Sequence, residues 1–362
     1  MHAISLAFAL AATAVPAFAQ TCFEGDAPLA SGGQLPNEVE LGDLDADGDL
    51  DMSTYNAISS IITTRRNNGD GTWGGATSLS VSFDTRRVDL LDVDGDGRAD
   101  LVYTGDSGTV TVRRSLGNSF ASPTTYSMTG NVVELAAGDL DNDGDLDLVV
   151  GATGSFSGTG MARVLRNPGN GSFVVEAGIL ADVHSVEIVD FDLDGDQDIV
   201  MAANEANRFR VAINTGTGQF PGIPLIFVQP SSVQRLVVAD FDGDGREDLA
   251  AGLVDQRFTV QFSTLDGFGQ YVVYPTPYTC AGMIASDVDA DGDVDLAVTD
   301  GGVDVHVFRN AGDGALALVG TFAAGHTYEG SSGDLDGDGD ADFVFSLYST
   351  DQVRTLRNCS VS

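Results

Sequence analysis

Short apolar runs separated by clusters of Gly, Asp, Asn and Ser set the rhythm of this chain. Val132-Val133-Glu134-Leu135-Ala136-Ala137 enters a loop crowded with Asp, and Leu148-Val149-Val150 leaves it. Ala162-Arg163-Val164-Leu165-Arg166 comes next, then the turn Asn167-Pro168-Gly169-Asn170-Gly171, then Phe173-Val174-Val175. Runs of this length and composition between turn residues predict antiparallel strands, four to a unit. No segment carries the apolar period of an amphipathic helix.

The unit recurs. A nine-residue pattern, D-x-D-x-D-G-x-x-D, starts at Asp43, Asp92, Asp139, Asp190, Asp240, Asp287 and Asp334, at spacings of 47 to 51 residues. Four short strands per repeat of this length predict an all-β, seven-bladed β-propeller, four antiparallel strands per blade. The last unit ends at Val353-Arg354-Thr355-Leu356-Arg357-Asn358, its third strand. The missing outer strand is expected from the N-terminus, where Phe23 matches the Phe that follows the third-strand turn elsewhere (Phe173, Phe220). An N-terminal strand joining the C-terminal blade would close the ring and bring Cys22 beside Cys359 for a disulfide. Cys280 is then a buried, unpaired thiol.

Ahead of that strand, Ala3 to Val15 is a short apolar run and Ala17-Phe18-Ala19 a small-x-small cleavage site. Residues 1–19 therefore read as a secretory signal peptide and 20–362 as the propeller. The expected location is secreted, extracellular or periplasmic, where a disulfide persists. No later stretch is long and apolar enough to span a membrane as a helix.

Charge narrows the chemistry. The formal net charge is −37, and all 17 basic residues are Arg. Such a polyanion repels phosphate backbones, so nucleic acid is an unsuitable partner. The excess sits in the repeats, whose positions 1, 3, 5 and 9 are Asp in all seven copies. The first loop offers Asp43, Asp45, Asp47, Asp49 and Asp51; the second Asp92, Asp94, Asp96, Arg98 and Asp100; the third Asp139, Asp141, Asp143, Asp145 and Asp147. The fourth offers Asp190, Asp192, Asp194, Asp196 and Asp198, and the fifth Asp240, Asp242, Asp244, Arg246 and Asp248. The sixth offers Asp287, Asp289, Asp291, Asp293 and Asp295, and the seventh Asp334, Asp336, Asp338, Asp340 and Asp342. Position 7 enters through its backbone carbonyl, which is why Arg98 and Arg246 serve there. A hard cation with six to eight oxygen ligands suits this set, and Gly at position 6 permits the sharp turn. Up to seven calcium ions are expected; zinc or copper would want His or Cys. Without a cation, four or five carboxylates in one loop repel each other.

Positions 2 and 10 are apolar in every copy and are expected to face the blade interior, with position 8 facing out. Arg66, Arg114, Arg166, Arg309 and Arg357 precede the third-strand turn; local pairing with carboxylates is their expected role, a ring for anionic ligands the alternative. Trp73, where other units have Phe, is expected in the core. No H-E-x-x-H, G-x-S-x-G or Cys-His nucleophile signature occurs.

The run Asp240-Phe241-Asp242-Gly243-Asp244-Gly245-Arg246-Glu247-Asp248-Leu249, with the turn Asn214-Thr215-Gly216-Thr217-Gly218-Gln219-Phe220, resembles the FG-GAP/VCBS repeat family, the blades of integrin-α-like propellers and of many secreted bacterial proteins. The resemblance implies calcium at positions 1, 3, 5, 7 and 9. It also implies a ligand site on the face away from the Asp loops, where Asn37, Arg86, His184, Gln234 and Tyr328 each stand six residues before a loop. The reading is a secreted, monomeric binding or adhesion module for an extracellular protein or glycan. A polysaccharide-lyase-like enzyme and a structural envelope module are the alternatives. The absence of Lys and of a His cluster weighs against the enzyme.

Overall fold

The computed structural model describes residues 22–153, 161–180, 183–202, 207–265, 267–302, 304–327 and 329–359. The expected signal peptide, Tyr328 and Asp266 lie outside them. The described residues hold strands and turns and no helix, so none is long and apolar enough to cross a membrane.

Seven antiparallel sheets form seven blades. Blade 1 runs from its innermost strand outward as Pro36–Gly42, Asp51–Asn56, Ile61–Arg65 and Thr77–Ser80. The innermost strands of blades 2 to 6 are Thr85–Leu91, Asn131–Gly138, Ser185–Val189, Val233–Ala239 and Gly282–Ser286. Blade 7 takes Gly330–Gly333, Asp342–Leu347 and Gln352–Asn358 from the C-terminal end. Its outer edge comes from the N-terminal side, with Phe23 opposite Asn358 and Leu29 opposite Val353. Neighbouring innermost strands touch all the way round, and that of blade 7 touches that of blade 1.

The apolar pattern follows from this stacking. A second strand lies between two neighbouring blades, so Asp51–Asn56 and Asp100–Gly105 are buried at every residue. Outer strands such as Thr77–Ser80 and Thr124–Ser127 are mostly exposed and carry Ser and Thr. The core is divided into seven apolar clusters, each between two successive blades. Positions 2 and 10 of the Asp loops fill them: Leu44, Leu140, Phe241 and Val288, with Leu101, Leu148, Ile199 and Phe343, are fully buried.

Position 8 departs from the expectation. Glu247 is exposed, but Leu50, Leu146, Gln197, Val294 and Ala341 are half-buried and Ala99 is buried. Leu50, Ala99 and Gln197 lie against Gly333, Gly42 and Gly138, the last residues of the innermost strands of the preceding blades. A side chain added at those glycines would collide with them.

The closure is welded twice. Cys22 and Cys359 form a disulfide with Cα atoms 5.1 Å apart, and the Cys359 N–H donates to the Cys22 carbonyl at 2.9 Å. Phe23 seats itself edge-on to Phe322 of blade 6 at 4.9 Å and beside Phe343 at 5.2 Å. Trp73 packs at the junction of blades 7 and 1 and donates its indole N–H to the Thr355 hydroxyl at 3.2 Å. Cys280 is buried and unpaired, and burial pushes its thiol up to about 11. Replacing Cys22 and Cys359 by Ser is expected to cost about 2–5 kcal/mol of stability. Urea unfolding measures it, and an unchanged midpoint would show that the strand pairing closes the ring unaided.

Candidate metal centres and the channel mouth

Each Asp loop is built by the same hydrogen bonds. The position-6 Gly N–H donates to the position-1 carboxylate in all seven loops, at 2.8–3.1 Å. The position-7 N–H donates to the position-5 carboxylate at 3.0–3.2 Å. These bonds need a left-handed backbone at position 6, where Gly48 has φ 96° and Gly245 φ 84°, and Gly adopts it without strain.

The position-9 Asp is buried and has a second duty. One oxygen accepts the position-2 N–H at 2.9–3.3 Å. The other accepts the first N–H of the third-strand turn, from Asn67, Ser115, Asn167, Asn214, Ser263, Asn310 or Asn358, at 2.6–2.9 Å. Its oxygens are therefore shared between loop and turn, whereas the spacing alone allows both to reach an ion.

Positions 1 and 3 converge. Carboxylate oxygens of Asp43, Asp45 and Asp51 lie within 4.8 Å of one another, as do those of Asp92, Asp94 and Asp96, of Asp139, Asp141 and Asp143, and of Asp190, Asp192 and Asp194. The position-3 Oδ1 atoms of Asp45, Asp94, Asp141, Asp289 and Asp336 are buried and accept no hydrogen bond among the described residues. An oxygen-only donor set whose position-3 residue keeps a buried, unpartnered oxygen fits a hard cation. Position-7 side chains turn elsewhere: Asp49, Asp145, Asp196 and Asp293 lie over Gly69, Gly169, Gly216 and Gly312 of the third-strand turns.

The five arginines pair locally. Each reaches the position-3 carboxylate of its own blade: Arg66 to Asp45 at 3.3 Å, Arg114 to Asp94 at 3.3 Å, Arg166 to Asp141 at 3.4 Å, Arg357 to Asp336 at 3.1 Å, and Arg309 to Asp289. Several also cross to the next blade's turn; Arg166 donates to the Gly218 carbonyl at 3.2 Å and Arg357 to the Asp70 carbonyl at 2.9 Å.

A clasp in the opposite direction was not anticipated from the sequence. The side chain that opens the third-strand turn donates to the position-2 carbonyl of the preceding blade. Asn67 reaches Leu335 at 2.8 Å, Ser115 Leu44 at 2.6 Å, Asn167 Val93 at 2.7 Å and Asn214 Leu140 at 2.7 Å; Asn310 and Asn358 bond Phe241 and Val288. In blade 5 the Ser263 hydroxyl instead bonds its own loop at Glu247. The recurrence of Asn or Ser at one place per repeat was the available signal.

On the other face, an extra residue bulges four innermost strands near their starts, between Pro36 and Glu38, Thr85 and Val88, Val132 and Glu134, and Val233 and Arg235. The bulges fall where Asn37, Arg86 and Gln234 stand. Asn37, Arg86 and His184 come together around a cavity of about 270 Å³ at the channel mouth, with Glu38, Arg87, Glu134, Arg235 and Glu329. Gln234 is not in its lining. Arg86 is held by Asp106 at 2.6 Å. The charged floor was also missed by sequence reasoning. Arg87 joins Glu38 at 2.7 Å, Glu134 at 2.5 Å and Glu329, and Arg235 meets Glu329 at 2.7 Å. His306 lies on a different strand, buried in blade 6 with its Nδ1 at 3.1 Å from the Thr321 hydroxyl.

Burial is the main cause that pushes the position-9 carboxyls up, to about 7 for Asp100, Asp198 and Asp295 and about 6 for Asp248 and Asp342. Backbone N–H donors pull the other way. A raised folded-state pKa stabilises the fold while the group is protonated. In chelator, stability from these groups is full below the unfolded value of about 4 and is lost as pH rises through 6 to 7. The melting temperature in EDTA is therefore expected to fall between pH 5 and pH 8; a flat or rising profile would contradict it. Removing the Asn214 clasp with Asn214→Ala leaves buried backbone groups unpaired and is expected to cost about 1–3 kcal/mol in urea unfolding. A loss within error would mean that blade packing alone holds that junction.

Comparison with known proteins agrees with this architecture. A family model described as "FG-GAP-like repeat" matches residues 92–150, 190–251 and 287–345, each match spanning two successive Asp loops. No curated protein matches. Among solved structures, BBS1N in complex with ARL6DN is similar at 14% identity and a TM-score of 0.63, covering 92% of this chain and 98% of that one. The WD40 β-propeller domain of Doa1 is similar at 15% identity and 0.61, covering 93% and 97%. Raptor of Chaetomium thermophilum is similar at 11% identity and 0.64, covering 95% of this chain and 29% of that one. At these identities the likeness is one of fold.

Proposed function

Because the chain belongs to the FG-GAP repeat family, we propose that it is a secreted propeller that loads calcium into its Asp loops and binds an extracellular protein or glycan through its channel-mouth face. The observation that carries the calcium reading is the buried, unpartnered position-3 oxygen, repeated in five loops, with carboxylate oxygens of the first three of those loops within 4.8 Å of one another. Positions 1, 3 and 5 would hold the ion with the position-7 carbonyl and a share of position 9. Calcium supplies positive charge where the loop concentrates negative charge. Mg²⁺ suits the set less well, since it keeps more of its water and demands stricter geometry.

The binding reading rests on the bulged innermost strands. Two of them set Asn37 and Arg86, and the start of the unbulged blade 4 strand sets His184, around one concave mouth, on a scaffold that is otherwise regular. Varied polar groups on a rigid frame suit recognition. The propeller of BBS1N is crystallised in a complex, so the shape is compatible with a protein partner. Secretion fits the Cys22–Cys359 disulfide.

Two measurements test the proposal together. Native mass spectrometry of the calcium-loaded protein is expected to lose about one ion per chain in Asp244→Ala, and EDTA is expected to lower the melting temperature of the wild type substantially. Full stoichiometry in the variant, or an EDTA-insensitive melt, would overturn the calcium assignment. Protein and glycan arrays probed with wild type and an Arg86→Ala/His184→Ala variant address the mouth. A ligand bound equally by both would place recognition elsewhere.

A further inference from the structure

The turn between blades 1 and 2, on the mouth face, displays an aromatic ring to solvent. Phe83 is 84% exposed, the most exposed aromatic side chain among the described residues. Its backbone is firmly held. Ser82 to Thr85 is a tight turn in which the Thr85 N–H and hydroxyl both donate to the Ser82 carbonyl, at 3.2 and 2.9 Å. Asp84 straps that turn to blade 2: its carbonyl accepts the Asp106 N–H at 2.8 Å and its carboxylate the Ser107 N–H at 3.0 Å. On the blade 1 side the Val81 N–H donates to the Ser60 carbonyl at 3.0 Å, tying in the turn that carries Ile58, itself 66% exposed. An apolar side chain left in water contributes little to folding, so a rigid turn that presents one is better suited to contact with something else.

The same turns bring a charged pair close to the ring. Arg86, three residues after Phe83, lines the mouth cavity and meets Asp106 at 2.6 Å. The Arg86 side chain is 55% exposed and that of Asp106 33%, so the pair is open to a ligand. A flat apolar face, N–H donors and carboxylate acceptors are thus presented together by backbone that is already hydrogen-bonded in place.

We propose that Phe83, Arg86 and Asp106 form a subsite for one uncharged pyranose ring of a glycan. The assignment rests on the reading of the mouth as the binding face and names the ligand class. The π face of Phe83 carries partial negative charge and takes the C–H-lined face of a sugar. An Arg–Asp pair matches a vicinal diol, one hydroxyl accepting from the guanidinium and its neighbour donating to the carboxylate. Uronates and sulfated sugars suit the place less well, because the net charge is −37 and the two turns carry Asp84 and Asp106. Size disfavours a protein: two exposed apolar side chains are few beside the roughly 20–30 residues a side of a stable protein interface. Tyr278 supplies an internal comparison. It is 56% exposed and stands nine residues before its Asp loop, as Phe83 does, but Ala281 takes the place of Arg86 there.

Saturation-transfer NMR on the protein in calcium buffer tests this with the methyl pyranosides of glucose, galactose, mannose and N-acetylglucosamine, and methyl glucuronide as the charged control. At least one neutral pyranoside is expected to receive saturation on its C–H protons, more than the glucuronide does. That signal is expected to fall about tenfold in Phe83→Ala and in Asp106→Asn, and to persist in Tyr278→Ala, with melting temperatures unchanged. No neutral pyranoside bound by wild type, or equal signals in wild type and Phe83→Ala, would remove the subsite. A stronger glucuronide signal would refute the uncharged assignment. Phe83→Ala on the protein and glycan arrays separates the subsite from the wider reading. A partner lost in Arg86→Ala/His184→Ala but kept in Phe83→Ala leaves the mouth as the binding face and sinks the sugar site. A protein lost in Phe83→Ala, with no pyranoside bound, makes the patch a protein contact and also overturns the proposal. A partner indifferent to all of these substitutions counts against both readings.

Discussion

A single buried carboxylate, the ninth residue of each Asp loop, ties three pieces of backbone together. It receives the N–H that starts the loop and the N–H that starts the third-strand turn, and it begins the second strand itself. Without it, loop and turn would each present unpaired donors inside the blade, at a cost of the order of 1–3 kcal/mol apiece. The rest of the Asp-loop face is arranged around this group. It places the turn so that its leading Asn reaches the preceding blade, and it sets the Arg before the turn over the position-3 carboxylate.

That arrangement concentrates negative charge and then has to compensate it. Burial disfavours the charged form of position 9, while its backbone donors favour it. Arg supplies part of the answer in blades 1, 2, 3, 6 and 7. Blades 4 and 5 have Ile213 and Phe262 at that place. In blade 5 Arg246 instead turns back from position 7 onto Asp244 of its own loop. The five blades with Arg are also the five in which the position-3 Oδ1 is buried and unpartnered. The guanidinium covers the carboxylate from one side and takes one oxygen, leaving the other to face the loop. Arginine and cation are thus complementary in this reading, one closing the site and the other filling it.

The repeat made the blade count, the buried positions 2 and 10 and the N-terminal closure legible, because each depends on residues whose spacing within a unit is constant. What the spacing hid involves partners from different units. Asn167 and Val93 are 74 residues apart, and nothing local marks the carbonyl that Asn167 will find. Position 8 looked outward because Gln197 and Glu247 are polar. In the ring, Gln197 covers Gly138 of the preceding blade, and only Glu247 stays exposed. The charged axis escaped for the same reason: Glu38, Arg87, Glu134 and Glu329 are scattered over the chain and become one ion-pair network only when four innermost strands converge. The bulges compound this, since an extra residue shifts the alternation from which an inward side chain would be read.

Closure governs whether any of this persists. Each apolar cluster lies between two blades, so an open ring would expose one entire cluster, that of Val39, Met52, Leu335, Val344 and Val353 if the break fell between blades 7 and 1. The same break would separate Asn67 from Leu335 and Arg87 from Glu329. Seven similar junctions give the ring no intrinsic preference for where to open, and the chain ends are the one place where covalent continuity does not oppose it. The N-terminal strand removes that weakness by making blade 7 from both ends of the chain. The disulfide then constrains the unfolded ends across nearly the whole chain. The two charged systems, on the Asp-loop face and on the axis, are therefore held at fixed separation by apolar packing and chain closure, which lets like charges stay buried close to one another.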